Sequence, residues 1–160
     1  MTTTVATRFA VRPLTQEVAD HVRAHGRDPV WGHAAATQPA TGFGPCRLCL
    51  RTFHEGELRT LFTHDTYAGL AEHRQPGPVY VHAEACDRWA SNGFPPALRP
   101  LDLTFEAVAA GPCVLALERA SGADAEGAIA RLFDLPGVDA VHVRNREAGC
   151  YVARVERIGG

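Results

Sequence analysis

Two cysteines two residues apart, Cys46 and Cys49, with His82-Ala83-Glu84-Ala85-Cys86 farther along, constrain the fold of this chain more than anything else in it. His54 and His64 lie between the two groups, so residues 44–89 hold most of the side chains able to bind a metal or act as a nucleophile. A thiolate pair at that spacing reaches one ion only where the backbone turns between the two sulfurs. In an extended strand successive side chains alternate, and Cys46 and Cys49 would point to opposite faces. The pattern of residues 46–53 nevertheless reads as a strand, with His54-Glu55-Gly56 as a turn into a second strand over 57–64. The two requirements conflict, and the structure must decide between them.

The chain has 160 residues, enough for one domain with a core that needs no disulfide support. A formal net charge of −2 argues against a nucleic-acid partner. All sixteen basic residues are arginine, which removes Schiff-base and P-loop lysine chemistry. Serine occurs only at Ser91 and Ser121, neither in a nucleophile-elbow setting. The five cysteines are odd in number, and residues 1–12 carry no basic region followed by an apolar run. No apolar stretch is long enough to span a bilayer. The expectation is a cytoplasmic protein with no membrane partner, its cysteines serving as thiols or ligands.

In chain order, Phe9-Ala10-Val11 predicts a short strand, and Thr15 caps a helix over 16–24 that stops at Gly26. Residues 27–44 show no periodicity and read as a long loop containing Trp31 and His33. Gln75-Pro76-Gly77-Pro78 signals a turn. Val79, Val81 and Ala83 then alternate with Tyr80, His82 and Glu84, the second set polar enough to line a cleft. A half-buried strand carries Leu101, Leu103 and Phe105, and Gly111-Pro112 turns it into a partner over 113–117. Residues 121–133 form the main helix, with Ala125, Ala128, Ile129, Leu132 and Phe133 as its apolar stripe and Ser121 or Asp124 as its cap. Residues 138–144 and 150–158 close the chain as a hairpin. This order predicts a single α+β domain with a largely antiparallel sheet and one main helix.

Four constellations carry chemistry. Cys46, Cys49, His82 and Cys86 suit tetrahedral zinc, with His54 or His64 as substitutes. Pro45-Cys46-x-x-Cys49 and His82-Ala83-Glu84 are the two halves of the zinc nucleobase-deaminase signature, but in reversed order and with Glu84 on a strand, which argues against that enzyme. Thiol chemistry is the third reading. Arg47 and Arg51 favour a thiolate at the Cys-x-x-Cys pair, and Cys150 could act as a nucleophile with His142, whereas Cys113 reads as a small buried hydrophobe. The fourth is an anion pocket built from Arg51, Arg59, Arg144, Arg146 and Arg154, in which His142, Arg144 and Asn145 form the most site-like group.

Three motifs also carry a family resemblance. They are Pro45-Cys46-Arg47-x-Cys49-Leu50, Gly77-Pro78-Val79-Tyr80-Val81-His82-Ala83-Glu84-x-Cys86, and Val141-His142-Val143-Arg144-Asn145 with Gly149-Cys150-Tyr151-x-Ala153-Arg154-Val155. Together they resemble the small bacterial family called domain of unknown function 1203. The likeness covers residues 45–158 and leaves 1–44 as a variable N-terminal part. It implies a single-domain bacterial protein and assigns no activity. The expectation is one Cys/His/Arg-lined cleft for a small anionic molecule. Cys46, Cys49, His82, Glu84 and Cys86 would line one side, with His142, Asn145 and Cys150 opposite, and Arg51, Tyr80 and Arg144 would contact the ligand. If the protein is an enzyme, the direction in which the reading leans, His82 or Glu84 moves protons, with His142 and Cys150 beside them. A homodimer is compatible with all of this. The alternative is a non-catalytic interaction module presenting the loop aromatics Trp31, Phe43, Trp89 and Phe94 to a protein partner.

Overall fold

The computed structural model describes residues 8–42, 44–67, 75–111 and 113–159. The chain forms β1 (Phe9–Arg12), α1 (Gln16–His25), β2 (Ala36–Pro39), β3 (Leu58–Asp65), β4 (Pro76–His82), β5 (Asp102–Ala109), β6 (Cys113–Ser121), α2 (Ala125–Phe133), β7 (Ala140–Asn145) and β8 (Tyr151–Arg157). The strands make two antiparallel sheets, a five-stranded one in the order β1-β8-β7-β5-β6 and a three-stranded one in the order β2-β3-β4. The fold is α+β, as the pattern of elements implies.

Each sheet has its own core. Leu103, Phe105 and Ala107 of β5, with Val141 and Val143 of β7, pack under the α2 stripe of Ala125, Ala128, Ile129, Leu132 and Phe133. The main helix starts at Ala125 rather than at 121: Ser121 accepts from the Ala123 N–H and caps the 3-10 turn Gly122–Asp124 that leads into it, while Asp124, at the N-cap of α2, makes no capping bond. The second core joins Ala19 and Val22 of α1 to Phe62, Val79 and Val81 of the small sheet, with Cys46, Leu48 and Phe53 beside them. α1 begins where its cap predicts, with Thr15 Oγ1 accepting from the Val18 N–H, and it ends on Gly26 at φ +65°, a left-handed conformation that glycine adopts freely.

Four sequence expectations are overturned by tertiary pairing. Residues 46–53 are not a strand but a tight reversal, and the reason lies in the site they build. The loop expected over 27–44 contains β2, whose residues Ala36, Thr37 and Pro39 are exposed, so it has no alternation to read and exists because β3 offers it an edge. Pro76 and Pro78 lie in β4 and not in a turn. They alternate along an edge strand, where the missing N–H groups cost no ladder bond. Cys113, expected to be buried, is exposed on β6, the sheet's edge strand, which also exposes Val114, Leu115 and Leu117. Among the described residues no helix is long and apolar enough to cross a membrane.

Candidate metal centre

Residues 45–52 fold into a knuckle. The Cys46 N–H donates to the Arg51 carbonyl at 2.8 Å, the Leu50 N–H to the Cys46 carbonyl at 2.9 Å and the Phe53 N–H to the Gly44 carbonyl at 3.0 Å. Leu50 closes the reversal at φ +57°, a left-handed conformation that costs a non-glycine residue on the order of 1 kcal/mol. Burial offsets that cost, because the Leu50 side chain is inaccessible and packs into the core of the large sheet. Cys46, Leu48 and Cys49 of the same turn pack into the core of the small one, so the knuckle ties the two halves of the molecule together. Three further backbone bonds hold it: Arg47 N–H to Tyr80 O, Leu14 N–H to Arg47 O and Trp89 N–H to Leu48 O, each 2.9 Å.

With the backbone turned, both sulfurs face the end of β4. The ligand atoms of Cys46, Cys49, His82 and Cys86 all lie within 4.8 Å of one another, a group that could hold a metal ion. Cys46 Sγ is 3.8 Å from Cys86 Sγ, and Cys49 Sγ is 3.5 Å from His82 Nδ1. Cys46 and Cys49 are buried, while His82 and Cys86 are partly accessible. The His82 N–H donates to Cys46 Sγ at 3.3 Å and Arg23 Nη2 to Cys86 Sγ at 3.4 Å. Arg23 also clamps the His82 carbonyl through two donors, fixing the turn after β4.

The imidazole is held in one orientation. Its Nε2 lies 2.9 Å from Glu57 Oε1, and Phe53 packs on the ring at 4.7 Å. A carboxylate only accepts, so Nε2 carries a proton and Nδ1 is the nitrogen that faces the sulfurs, the orientation in which a carboxylate positions a metal-binding histidine. The His54 N–H, then His82, hold the Glu57 carboxyl below its ordinary range. Among the sulfurs, hydrogen bonds to Cys49 and Cys86, then burial, push the Cys46 thiol up. The bond from Cys46 pulls the thiols of Cys49 and Cys86 down against burial, helped by the Arg51 N–H at Cys49 and by Arg23 at Cys86. The three sulfurs thus perturb one another in the cluster that could hold a cation.

Among the described residues, the expected cleft residues that line a cavity fall in two separate ones. Arg51, Glu84 and Asp87, with Glu57 and the cluster residues His82 and Cys86, line an open cavity of about 320 Å³. Glu84 is exposed there, and the two ring nitrogens of His82 face Glu57 and Cys49. Tyr80 serves as support: it stacks under the Arg59 guanidinium at 4.0 Å, and its hydroxyl accepts from Gln38 Nε2 at 3.3 Å. The other group of expected site residues lies on the large sheet. His142 is buried at 1 % exposure against the rings of Tyr67 and Tyr151. Burial, then Arg154 and Arg144, lower its pKa to about 4. Arg144 is ion-paired to Glu106 and donates to Gly149 O, Thr66 and Gln75. Asn145 Oδ1 accepts from the N–H groups of Glu147 and Ala148, so it shapes the β7–β8 turn. Cys150 is half-buried and lines a separate cavity of about 260 Å³ with His64, Arg144 and Tyr151. Arg154 is committed to Asp139 and Glu156.

Sequence reasoning missed Glu57, Arg23 and, as a buried link, Arg47. Arg47 donates to the carbonyls of Tyr151 and Pro45. Nothing local marks these three, since their partners lie on other elements. Of the aromatics expected on an interaction surface, Trp31 is exposed. Phe94 is buried at 4 % exposure, Trp89 packs against the core of the large sheet, and Phe43 lies outside the described residues.

No curated protein and no solved structure is similar enough to the chain to match it. A family model does match, over residues 43–157, and its description is "Protein of unknown function (DUF1203)". That span takes in the knuckle, β4 with Cys86, and the closing β7–β8 hairpin, the same three regions that carry the motifs, and the chain belongs to the DUF1203 family.

Proposed function

We propose that this is a zinc-binding domain in which a structural Cys3His centre locks the two sheets together, leaving ligand chemistry to other surfaces. The observation that carries this reading is the spacing of the four ligand atoms. With Zn–S near 2.3 Å and Zn–N near 2.05 Å, a tetrahedral site has S···S edges of about 3.8 Å and S···N edges of about 3.5 Å. The Cys46–Cys86 and Cys49–His82 separations are 3.8 and 3.5 Å. Three soft thiolates with one imidazole favour zinc over the hard cations that take oxygen ligands. Four protein ligands complete the tetrahedron, the mark of a structural site rather than a catalytic one that keeps an open position.

Electrostatics support the same reading. A divalent ion with three thiolates carries one net negative charge. Around it Arg23 meets Cys86, while Arg47 and Arg59, 4 % and 8 % exposed, have no carboxylate partner among the described residues. Arg59 lies across the strand pair from His82, with Tyr80 and Phe53 against its guanidinium and its Nε unbonded. Buried guanidiniums without a counter-charge are costly, and an anionic metal centre supplies one.

Elemental analysis of protein purified without chelator tests the proposal. The expected result is about one equivalent of zinc, lost on mutation of Cys49 or Cys86. Less than about one-tenth equivalent of zinc overturns it, since structural zinc is tightly held, and stoichiometric iron would reassign the metal.

A further inference from the structure

The three sulfurs of the metal-binding group differ in access. Cys46 and Cys49 are buried, whereas Cys86 is half-buried and is the only one of the three that lines the open 320 Å³ cavity. They differ also in how the backbone holds them. Cys46 sits in the knuckle, its N–H on the Arg51 carbonyl and its own carbonyl taking the Leu50 N–H. Cys86 follows β4 in an irregular loop, tied at its ends by Ala83 N–H to Leu58 O at 3.1 Å and by Trp89 N–H to Leu48 O at 2.9 Å. Among the described residues, residues 84–87 take part in none of the backbone bonds outside helices and strands. One sulfur is fixed and buried; the other is accessible, on a loop able to shift.

Distance and charge narrow the chemistry. Cys46 Sγ lies 3.8 Å from Cys86 Sγ, so a disulfide of about 2.05 Å needs a closure of about 1.8 Å. Cys49 Sγ is turned instead to His82 Nδ1, at 3.5 Å. Three carboxylates, Glu57, Glu84 and Asp87, line the cavity beside Arg51, and Arg23 sits 3.4 Å from Cys86 Sγ. Two guanidiniums against three carboxylates leave the entrance net negative. It repels an anionic oxidant such as glutathione disulfide but not hydrogen peroxide, which is small and neutral. Reactive cysteines occupy partly exposed settings beside a basic group, as Cys86 does beside Arg23.

We propose that Cys86 is an oxidation site for hydrogen peroxide and Cys46 its resolving partner, so that a Cys46–Cys86 disulfide displaces the metal. The inference rests on the zinc-binding reading above. In the first step the Cys86 thiolate attacks one peroxide oxygen. An S–O bond forms, the O–O bond breaks, and the departing hydroxide takes up a proton to become water. The Cys46 thiolate then attacks the Cys86 sulfur, forming the S–S bond and expelling hydroxide, which is protonated to a second water. Two thiolates, one peroxide and two protons thus become one disulfide and two waters, with two electrons passing from sulfur to peroxide. Cys49 and His82 remain, two ligands where a closed tetrahedral site needs four.

Peptide mapping reads the bond directly. The chain has no lysine, and cleavage at arginine leaves Cys46, Cys49 and Cys86 in three tryptic peptides, 28–47, 48–51 and 75–88. Zinc-loaded protein is treated with hydrogen peroxide, zinc release is followed with a chromophoric chelator, and the remaining thiols are blocked before digestion. The expected result is loss of the bound zinc, a cross-link between 28–47 and 75–88 with 48–51 carrying the block, and recovery of zinc binding after dithiothreitol. Glutathione disulfide should release none. Ala85 is exposed on the cavity wall, so Ala85→Trp should slow release by peroxide several-fold; if that variant does not hold zinc, the wild-type map carries the test. Zinc retained in peroxide, a cross-link between 28–47 and 48–51, sulfinic acid at Cys86 with no cross-link, equal release by glutathione disulfide, or an unchanged rate in zinc-loaded Ala85→Trp would each overturn this proposal alone. Protein that holds no zinc before peroxide is added would overturn the zinc reading and this inference together.

Discussion

On the zinc-binding reading proposed above, withdrawing the metal should destabilise this protein by an amount that can be worked out from the chain. The metal-binding group joins Cys46 to Cys86, 40 positions apart in sequence. Cross-linking the ends of a loop of that length removes unfolded-state entropy worth about 4 kcal/mol at 25 °C, and residual metal binding by the unfolded chain would reduce the figure. Against a total stability of roughly 5–15 kcal/mol for a domain, that is a large share. It corresponds to a fall in Tm of about 8–16 °C for a chain of this size. The assay is urea and thermal unfolding of the wild type and of Cys86→Ala, each with and without a strong zinc chelator. The wild type should lose about 4 kcal/mol on chelation. Cys86→Ala, lacking one of four ligands, should start near the chelated value and respond little. Cys113→Ala, altering an exposed cysteine on the sheet edge, should behave like the wild type. If elemental analysis shows the ion gone from the wild type and its unfolding curve has not moved, the centre is not structural and the reasoning fails.

Glu57→Gln removes the carboxylate that orients His82. Competition with a chromophoric chelator should show zinc affinity reduced by roughly 10–100-fold, and unchanged affinity would mean that Glu57 is incidental. His142, with its folded pKa lowered from 6.5 to about 4, favours the native state when neutral. Its contribution is complete above about pH 6.5 and is lost as pH falls toward 4, by roughly 3 kcal/mol. His142→Phe should flatten that part of the stability–pH curve measured by urea unfolding, and an unaltered slope would refute the assignment. In Gly122→Ala the new Cβ would lie 2.0 Å from the Leu98 carbonyl oxygen, so a loss of more than about 2 kcal/mol is expected in the same assay. Gly127→Ala, in the exposed middle of α2, meets only the end of the flexible Arg131 side chain at 3.2 Å and should gain about 0.5–1 kcal/mol. A neutral or stabilising Gly122→Ala, or a destabilising Gly127→Ala, would show the packing at the α2 entry to be misassigned.

The α2 stripe, the Thr15 cap with Gly26, and the strands of the closing hairpin were all legible in the sequence. Each is fixed by residues within one or two turns of each other, so periodicity and capping chemistry suffice. The chemical types at Cys46, Cys49, His82 and Cys86 were legible as a metal set for a related reason: soft ligands are scarce in this chain and fall into one segment. The knuckle was not, because residues 46–53 carry a strand-like pattern. Their turn depends on Leu50 taking a left-handed conformation that only burial in a distant core makes tolerable.

Nor could the sequence separate the two groups of polar residues it placed in one cleft. Strand pairing alone puts His142 and Arg144, with Cys150 in the turn that follows them, on a sheet different from the one that carries His82. Glu57, Arg23 and Arg47 acquire their roles only by meeting groups on other elements. What the sequence determined by itself is which atoms this protein offers, since side-chain chemistry is local. Which of those atoms share a site was decided by the tertiary structure, because register, burial and the path of a turn are properties of the whole fold.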